Sequence, residues 1–186
     1  SWDQAPNVVV SGSAVGFYWD QGSATVTEST SPNDEFTHRL CRDWENAAKP
    51  LCDDGVRLCF SRTGVVAGPD GGFLERMLLP FKLGLGGRLG SGTQYMPWVH
   101  RDDVVSALIW MMENPDASGP YNVVSPNPVT NAEFTRSLGR VLHRPTLFPA
   151  PAPVLKVALG EMARLLLTGQ RAIPEKLVSQ QFQFRY

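Results

Sequence analysis

The amino-acid sequence predicts an α/β fold in which helices cover both faces of a parallel sheet. Short runs of β-branched and apolar residues, at 8–10, 56–61 and 121–124, alternate with longer segments of helical periodicity. Strands that alternate with helices are joined as β-α-β units, and such strands pair in parallel. The expected body therefore has three layers, with the sheet in the middle.

The first strand and the first helix are predicted from two different periodicities. Residues 8–10 are β-branched without interruption, which predicts a strand buried on both faces, and small residues follow at 11–14. Phe36, Leu40 and Trp44 recur at helical spacing. They predict a helix that begins at residue 34 or 35 and ends near residue 48.

The middle of the chain continues the alternation. The strand at 56–61 leads through a turn into an apolar stretch, and Pro-Asp-Gly-Gly at 69–72 is a strong turn signal. An amphipathic helix is predicted at 73–83, and the glycine-rich stretch that follows it, to residue 92, predicts a loop. Residues 95–99 predict a short strand, and a helix to about residue 113 follows.

The last third contains a helix-start signal and a proline-rich seam. Thr130 and Glu133 have the spacing of a capping box, which predicts a helix to about residue 142. Prolines concentrate at 145–153, and helices are predicted after them at 154–167 and 174–179. We therefore divide the chain into an α/β part, residues 1–145, and a small, mostly helical C-terminal subdomain, residues 146–186.

Composition excludes several classes of protein. Lys and Arg number 17 against 18 Asp and Glu, so no global charge favours nucleic acid or an anionic membrane. The longest apolar run, at 155–167, is interrupted by charged residues and is too broken to span a bilayer. Three cysteines form no CxxC pair, and we expect no secretory signal. These features predict a soluble cytoplasmic protein with free thiols.

Two segments at strand ends are candidates for a ligand site. A hydroxyl of the Ser-Gly-Ser-Ala run at 11–14 lies where parallel sheets bind ligands, or these small residues only form a tight turn. After the second strand, Arg62 can bind a carboxylate or phosphate, and Gly64 and Gly68 permit close approach of a ligand. The alternative is a structural salt bridge for Arg62 and glycines that only turn the chain.

Other candidates are weaker. His100, followed by two aspartates, has the composition of a general base, although acids that open a helix are more often caps. Cys41 lies beside two arginines, which lower a thiol pKa, but a buried thiol is the favoured interpretation. The three histidines are scattered and no metal-binding spacing occurs, so we predict no metal site.

Together these segments resemble the extended short-chain dehydrogenase/reductase superfamily, and more narrowly its epimerase-like subgroup of nucleoside-diphosphate-sugar epimerase-like proteins. The resemblance rests on the phrases at 11–18, 35–45, 62–66, 79–87 and 169–174. It implies a Rossmann-like fold that binds NADP or NAD. It also implies that this chain corresponds to roughly the last two-thirds of such a protein, with the glycine-rich dinucleotide turn upstream of Ser1.

The superfamily uses a Ser or Thr, a Tyr that acts as acid and base, and a Lys four residues later. Ser13 matches the serine. When Glu45 is aligned with the glutamate that usually follows the lysine, Thr37 takes the tyrosine position and Cys41 the lysine position. Neither replaces its counterpart chemically. Tyr18 is the nearest phenol and the candidate substitute, if its loop folds back towards the serine.

The resemblance implies a full set of site residues. A glycine usually stands at the position of Trp19, so this residue departs from the pattern. The predicted site residues are Ser13 and Tyr18 for catalysis, Ser11, Arg62, Thr63, Gly64 and Val65 for the cofactor, and Lys82, Gln94, Trp98 and Arg101 for the substrate.

Two functions remain open at this point. One is an NAD(P)-dependent epimerase or oxidoreductase that acts on a small molecule, with a sugar nucleotide as the implied substrate. The other is a non-catalytic sensor of NADP(H), or a regulatory interaction protein, which the absent Tyr and Lys favour. Without the first β-α-β unit, the sheet edge and an apolar face would be exposed, which would also favour association into homo-oligomers.

Overall fold

The computed structural model describes residues 6–68 and 71–186. The strands are β1 (Val8–Ala14), β2 (Thr25–Val26), β3 (Arg57–Thr63), β4 (Val65–Ala67), β5 (Tyr95–Met96), β6 (Trp98–His100), β7 (Gly119–Val123), β8 (Val129–Thr130) and β9 (Arg171–Ala172). The helices are α1 (Phe36–Ala48), α2 (Gly72–Lys82), α3 (Arg101–Glu113), α4 (Asn131–Val141), α5 (Ala152–Leu159), α6 (Ala163–Leu167) and α7 (Glu175–Ser179).

The central sheet is parallel, in the order β1-β3-β7. Alternate residues of each strand point to opposite faces. On one face Val10, Cys59 and Tyr121 pack with α3 in the larger hydrophobic core. On the other face Ser13 contacts α1 through Glu45. The expected three-layer, Rossmann-like body is therefore confirmed.

The first strand differs from its prediction in burial. Residues 8–10 are half-buried rather than buried on both faces. Within residues 6–68 and 71–186, β1 pairs only with β3, so it forms an edge of the sheet. An edge strand keeps one row of backbone groups and part of its side-chain surface accessible.

Strands of two or three residues join the loops around the carboxyl edge of the sheet. Strand β4 pairs in parallel with β6, β5 pairs antiparallel with β8, and β2 pairs in parallel with β9. Such short pairings have no periodicity to detect in the sequence, and β2, β8 and β9 were not predicted. The strand predicted at 95–99 is divided at Pro97, and the helix predicted at 154–167 is divided at Gly160, whose φ is +57°.

The capping box predicted from Thr130 and Glu133 is confirmed. The Thr130 hydroxyl accepts a hydrogen bond from the Glu133 backbone N–H, and the Glu133 carboxylate accepts one from the Thr130 N–H. The start of the Pro-Asp-Gly-Gly turn, residues 69–70, and the first five residues lie outside the described part of the chain.

The C-terminal segment returns to the sheet. Leu177 and Phe182 belong to the hydrophobic core shared by β7 and α3. The Asp103 carboxylate, buried at the start of α3, accepts hydrogen bonds from the backbone N–H groups of Arg185 and Tyr186. The boundary at residue 145 stays a prediction, and residues 175–186 share the core of the α/β part.

Candidate functional site

Three polar side chains lie side by side on one face of the sheet near its carboxyl edge. The strand register places Ser13 beside Arg62 and Arg62 beside Asn122. All three residues are buried. Buried polar groups require hydrogen-bond partners, so their contacts determine what they can do.

Glu45 of α1 supplies the principal partner. Arg62 donates from Nε to Oε1 and from Nη2 to Oε2, each at 2.8 Å, and Ser13 Oγ donates to Oε1 at 2.8 Å. The side chains of Arg62 and Glu45 are only 5% and 8% exposed. Arg62 also stacks on Phe17, with its guanidinium carbon 3.4 Å from the ring centroid. The structural salt bridge considered for Arg62 is therefore present.

Tyr18 completes this network. Its hydroxyl accepts a hydrogen bond from Arg62 Nη1 at 2.9 Å and donates one to Asn122 Oδ1 at 2.8 Å. The residue is fully buried, and burial raises the pKa of its hydroxyl to about 12. An efficient acid-base catalyst has a pKa near the working pH. This placement gives no support to an acid-base role for Tyr18, and Ser13 likewise directs its proton to a carboxylate.

Thr37 and Cys41 occupy the face of α1 on which the resemblance placed the missing Tyr and Lys. A Cβ atom at Gly16, just after β1, would stand 3.5 Å from Thr37 Cβ and 3.9 Å from Cys41 Sγ. Glu45 follows four residues later on the same face. Burial raises the pKa of the Cys41 thiol, so it stays neutral at physiological pH. The α1 face thus offers neither a phenol nor a cation.

The cavity at this edge of the sheet has a volume of about 260 Å³. Trp19 and Thr37 form one side of it, and Val65 another. The chain around Gly169 closes a third side and crosses Tyr95 so closely that a Cβ at Gly169 would overlap the Tyr95 carbonyl oxygen. Further lining residues come from α2, the glycine-rich loop, β5 with the residues beside it, the start of α4 and the end of α6. The cavity is therefore assembled from eight separate segments of the sequence, at 15–19, 37, 65, 73, 89, 94–97, 131 and 165–170.

Thr37 and Trp19 are unusual cavity residues. Thr37 Oγ1 is buried and has no hydrogen-bond partner within the described part of the chain. Trp19 has a φ of +59°, in the left-handed region that favours glycine, which accounts for the glycine usual at this position. The Arg164 guanidinium lies 5.1 Å from the Trp19 ring centroid. Backbone strain of this kind is often found at functional sites.

Two of the predicted ligand-binding residues line the cavity, Val65 and Gln94. Gln94 donates from Nε2 to the carbonyl oxygens of Leu89 at 3.1 Å and Leu166 at 2.8 Å. It therefore connects the glycine-rich loop to α6. The direct ligand contacts predicted for Val65 and Gln94 stay predictions.

The remaining substrate candidates lie elsewhere. Trp98 pairs with Val65 in the β4–β6 sheet and donates from its indole nitrogen to the Asn127 carbonyl at 3.3 Å. Lys82 is exposed at the end of α2, and Arg101 is exposed at the start of α3, where it packs against Gly68. Lys82, Trp98 and Arg101 are therefore not among the described residues that line the cavity.

The remaining cofactor candidates contact the protein itself. Ser11 is half-buried on β1, and the Thr63 hydroxyl hydrogen-bonds with Ser61 Oγ at 2.8 Å. A Cβ at Gly64 would overlap the Pro97 carbonyl oxygen, so the close approach that this glycine permits is to the backbone between β5 and β6. Their contacts with a cofactor stay predictions.

His100 itself caps α3, whereas the sequence assigned the cap to the aspartates that follow it. Its ring nitrogen accepts a hydrogen bond from the Asp102 backbone N–H at 3.2 Å, and the ring stacks on Tyr186 with centroids 3.8 Å apart. No cluster of three or more potential metal ligands occurs among the side chains that the structure describes. No helix in residues 6–68 or 71–186 is both long and apolar enough to cross a membrane.

Sequence reasoning missed two residues that hold the site together. Asn122 joins Tyr18 to the C-terminal segment, because its Nδ2 donates to the Ile173 carbonyl at 3.1 Å. The Glu28 carboxylate accepts a hydrogen bond from the Asn122 backbone N–H at 3.0 Å and another from the Lys176 N–H at 3.3 Å. Neither residue belongs to a motif, and nothing in the local sequence signals these long-range contacts.

The cavity suits the nicotinamide end of a dinucleotide rather than its phosphates. Its walls are apolar, with neutral hydrogen-bonding groups on Thr37, Gln94 and Gln170. A nicotinamide ring is flat and carries a neutral carboxamide, which such walls can hold. No charged side chain is among the residues that line it, so a diphosphate has no ionic partner in these walls.

Comparison with known proteins identifies the family. The sequence profile described as the NAD dependent epimerase/dehydratase family matches residues 6–125, and the chain belongs to this family. A second profile, described as a domain of unknown function (DUF1731), matches residues 150–186. An epimerase family protein from Mycobacterium bovis is 45% identical over 185 residues, which cover 99% of this chain and 62% of the relative.

Solved structures agree with this assignment. Human epimerase family protein SDR39U1 (isoform 2), solved with NADPH, has a TM-score of 0.92 and 34% identity, and the match covers all of this chain and 63% of the human one. A nucleoside-diphosphate sugar epimerase from Corynebacterium glutamicum has a TM-score of 0.78 and 35% identity, covering 97% of this chain and 35% of that one. This chain thus spans about six-tenths of the length of its first relatives.

Proposed function

We propose that this chain forms the substrate side of an NADP(H)- or NAD(H)-dependent oxidoreductase or epimerase. In this proposal the nicotinamide ring lies in the cavity beside Thr37 and Val65. The observation that carries the proposal is the position of the cavity. It opens at the carboxyl edge of a parallel sheet, where α/β proteins bind ligands, and its walls are neutral and apolar.

Two further findings support a dinucleotide ligand. The structurally similar human protein SDR39U1 was solved with NADPH. The buried Thr37 hydroxyl has no hydrogen-bond partner among residues 6–68 and 71–186, so a small rearrangement of α1 would allow it to bond a ligand carboxamide or hydroxyl. The cofactor supplies hydride transfer when bound. The cavity residues orient the ring and exclude water, and the phosphates require the glycine-rich turn expected upstream of Ser1.

A sugar nucleotide remains the substrate implied by the family resemblance, and the Corynebacterium glutamicum relative carries that activity in its name. A cytoplasmic location and homo-oligomer formation belong to the same proposal. The two-part domain organisation, with a boundary at residue 145, belongs to it as well.

The second candidate function is a dinucleotide-binding sensor without turnover. It is favoured by the replacement of the catalytic pair by Thr37 and Cys41, and by the pKa of about 12 for Tyr18. Burial raises the pKa of both Tyr18 and Cys41, so neither side chain is suited to accept and donate a proton near neutral pH. A sensor requires only that the dinucleotide change the structure or its association.

Turnover distinguishes the two candidates. We would incubate the chain extended upstream of Ser1 with NADP and UDP-glucose or simple alcohols, and with NADPH and simple ketones. The absorbance of the reduced nicotinamide reports net oxidation or reduction, and chromatography of the sugar nucleotide reports epimerisation, which regenerates the cofactor. Gln170→Trp fills the cavity, and Gln183→Trp places the same side chain at an exposed position in the C-terminal segment. The enzyme proposal expects conversion that only Gln170→Trp abolishes. NADPH binding without any conversion would favour the sensor.

A further inference from the structure

A second and larger space adjoins the cavity. A groove of about 980 Å³ lies between α2 on one side and α5 and α6 on the other. Phe73, Leu89, Leu165 and Leu166 line both the groove and the cavity. A ligand that enters the cavity with one end can therefore extend along the groove without leaving the protein surface. Volumes of this size hold small organic ligands.

The groove is lined mainly by apolar side chains. Phe81 is buried beneath it, and Gly86 lies so close to the Phe81 ring that a Cβ there would overlap the ring. Phe148 is 65% exposed and Met162 is 67% exposed, although both are large and apolar. A contiguous exposed apolar patch on a protein surface usually marks a binding site.

Charge on these walls is sparse and balanced. Among the described residues that line the two spaces, only Glu75 and Arg76 are charged, and they are adjacent with opposite signs. Glu75 also lies in the first turn of α2, where its carboxylate opposes the binding of another anion at the helix N-terminus. A nucleoside diphosphate needs several cationic donors, because burying phosphate charge without them is costly.

We infer that the groove binds the apolar body of an uncharged substrate, such as an alcohol or ketone with a long aliphatic chain. The hydroxyl or carbonyl end reaches the cavity, and the chain packs between α2 and α5–α6. This inference names the substrate class of the proposed function and rests on it for the position of the reacting end. The absence of phosphate-binding groups in the described walls separates this substrate from a sugar nucleotide.

The groove is tested by binding of the neutral fluorophore prodan to the full chain, followed by displacement with 1-decanol and with UDP-glucose. Met162→Glu places a charge in the groove at an exposed position. Val157→Glu is its matched control, since Val157 is 89% exposed on the neighbouring helix α5 and outside the groove walls. Because both positions are exposed, both variants retain the fold.

We expect prodan to bind and 1-decanol to displace it. Met162→Glu weakens both affinities by about tenfold, while Val157→Glu changes them by less than about twofold. UDP-glucose leaves prodan bound. Displacement of prodan by UDP-glucose, or equal losses in the two variants, would overturn the inference.

A parallel titration with NADPH separates this inference from the proposed function. If prodan and 1-decanol bind, but NADPH binds neither to this chain nor to one extended upstream, the proposed function is refuted and the apolar groove stays in place. NADPH binding with no 1-decanol binding refutes the substrate class alone.

Discussion

Replacing Glu45 by Gln tests the buried network most sharply. The substitution keeps the size and shape of the side chain but removes its negative charge. Arg62 would then remain buried beside a neutral amide, and one of the two Nε/Nη2 hydrogen bonds would meet an amide nitrogen that cannot accept it. A buried charge without its counter-charge is strongly destabilising.

The magnitude follows from the burial of the pair. With side-chain exposures of 5% and 8%, solvent screens the charges little. Breaking a buried ion pair by removing one partner costs about 3–5 kcal/mol. For a chain of 150–250 residues each kcal/mol lowers Tm by about 2–4 °C, so we expect a fall of about 6–20 °C.

Asp43→Asn is the matched control. It makes the same carboxylate-to-amide change on the same helix, but Asp43 is 65% exposed and pairs with exposed Arg42. Surface pairs of this kind contribute no more than about 1 kcal/mol. Urea denaturation followed by circular dichroism measures both variants. If Glu45→Gln lowers the free energy of unfolding by less than about 1 kcal/mol, this network is not a principal structural support.

Three further predictions concern Tyr18, the cysteines and Trp19. Since the folded-state pKa of Tyr18 is raised from 10.0 to about 12, its contribution to stability is fully present below pH 10 and is lost as pH rises towards 12. Tyr18→Phe should therefore flatten the fall in unfolding free energy over this range, and an unchanged slope would contradict it. In the native protein, a disulfide reagent should react rapidly only with the exposed thiol of Cys52, while the buried thiols of Cys41 and Cys59 should react only in denaturant. Rapid reaction of two or more thiols in the native protein would contradict the burial of Cys41 and Cys59. Trp19→Gly relieves a left-handed φ that costs about 1–2 kcal/mol, and this gain partly offsets the loss of the ring contacts. We therefore expect the unfolding free energy to change by less than about 1 kcal/mol. A larger loss would show that the packing of the ring outweighs the backbone strain.

The parallel sheet and its helices were predictable because they carry strong local signals. The spacing of Phe36, Leu40 and Trp44 predicted α1 to within two residues, and Thr130 with Glu133 predicted the start of α4. The helical stripe of α1 nevertheless faces solvent in this structure, where Phe36 and Trp44 are exposed. Periodicity therefore identified the helix but not the surface that its apolar side contacts.

The site was less predictable, since it depends on long-range contacts. Ser13 and Arg62 were recognised at strand ends, yet their shared partner Glu45 served only to align the family motif. The register that brings Asn122 beside Arg62 joins residues sixty positions apart. The cavity depends on eight segments, and those at 94–97 and 131 are brought together by the two-residue pairing of β5 with β8. No local pattern in the sequence encodes such contacts.

The most direct test of the central claim is a titration of NADPH and NADH, followed by nicotinamide fluorescence. It should be made on this 186-residue chain and on a chain extended upstream of Ser1. We expect tight binding by the extended chain, because the cavity holds the nicotinamide end and the phosphates need the glycine-rich turn. Failure of both chains to bind either dinucleotide would contradict the account.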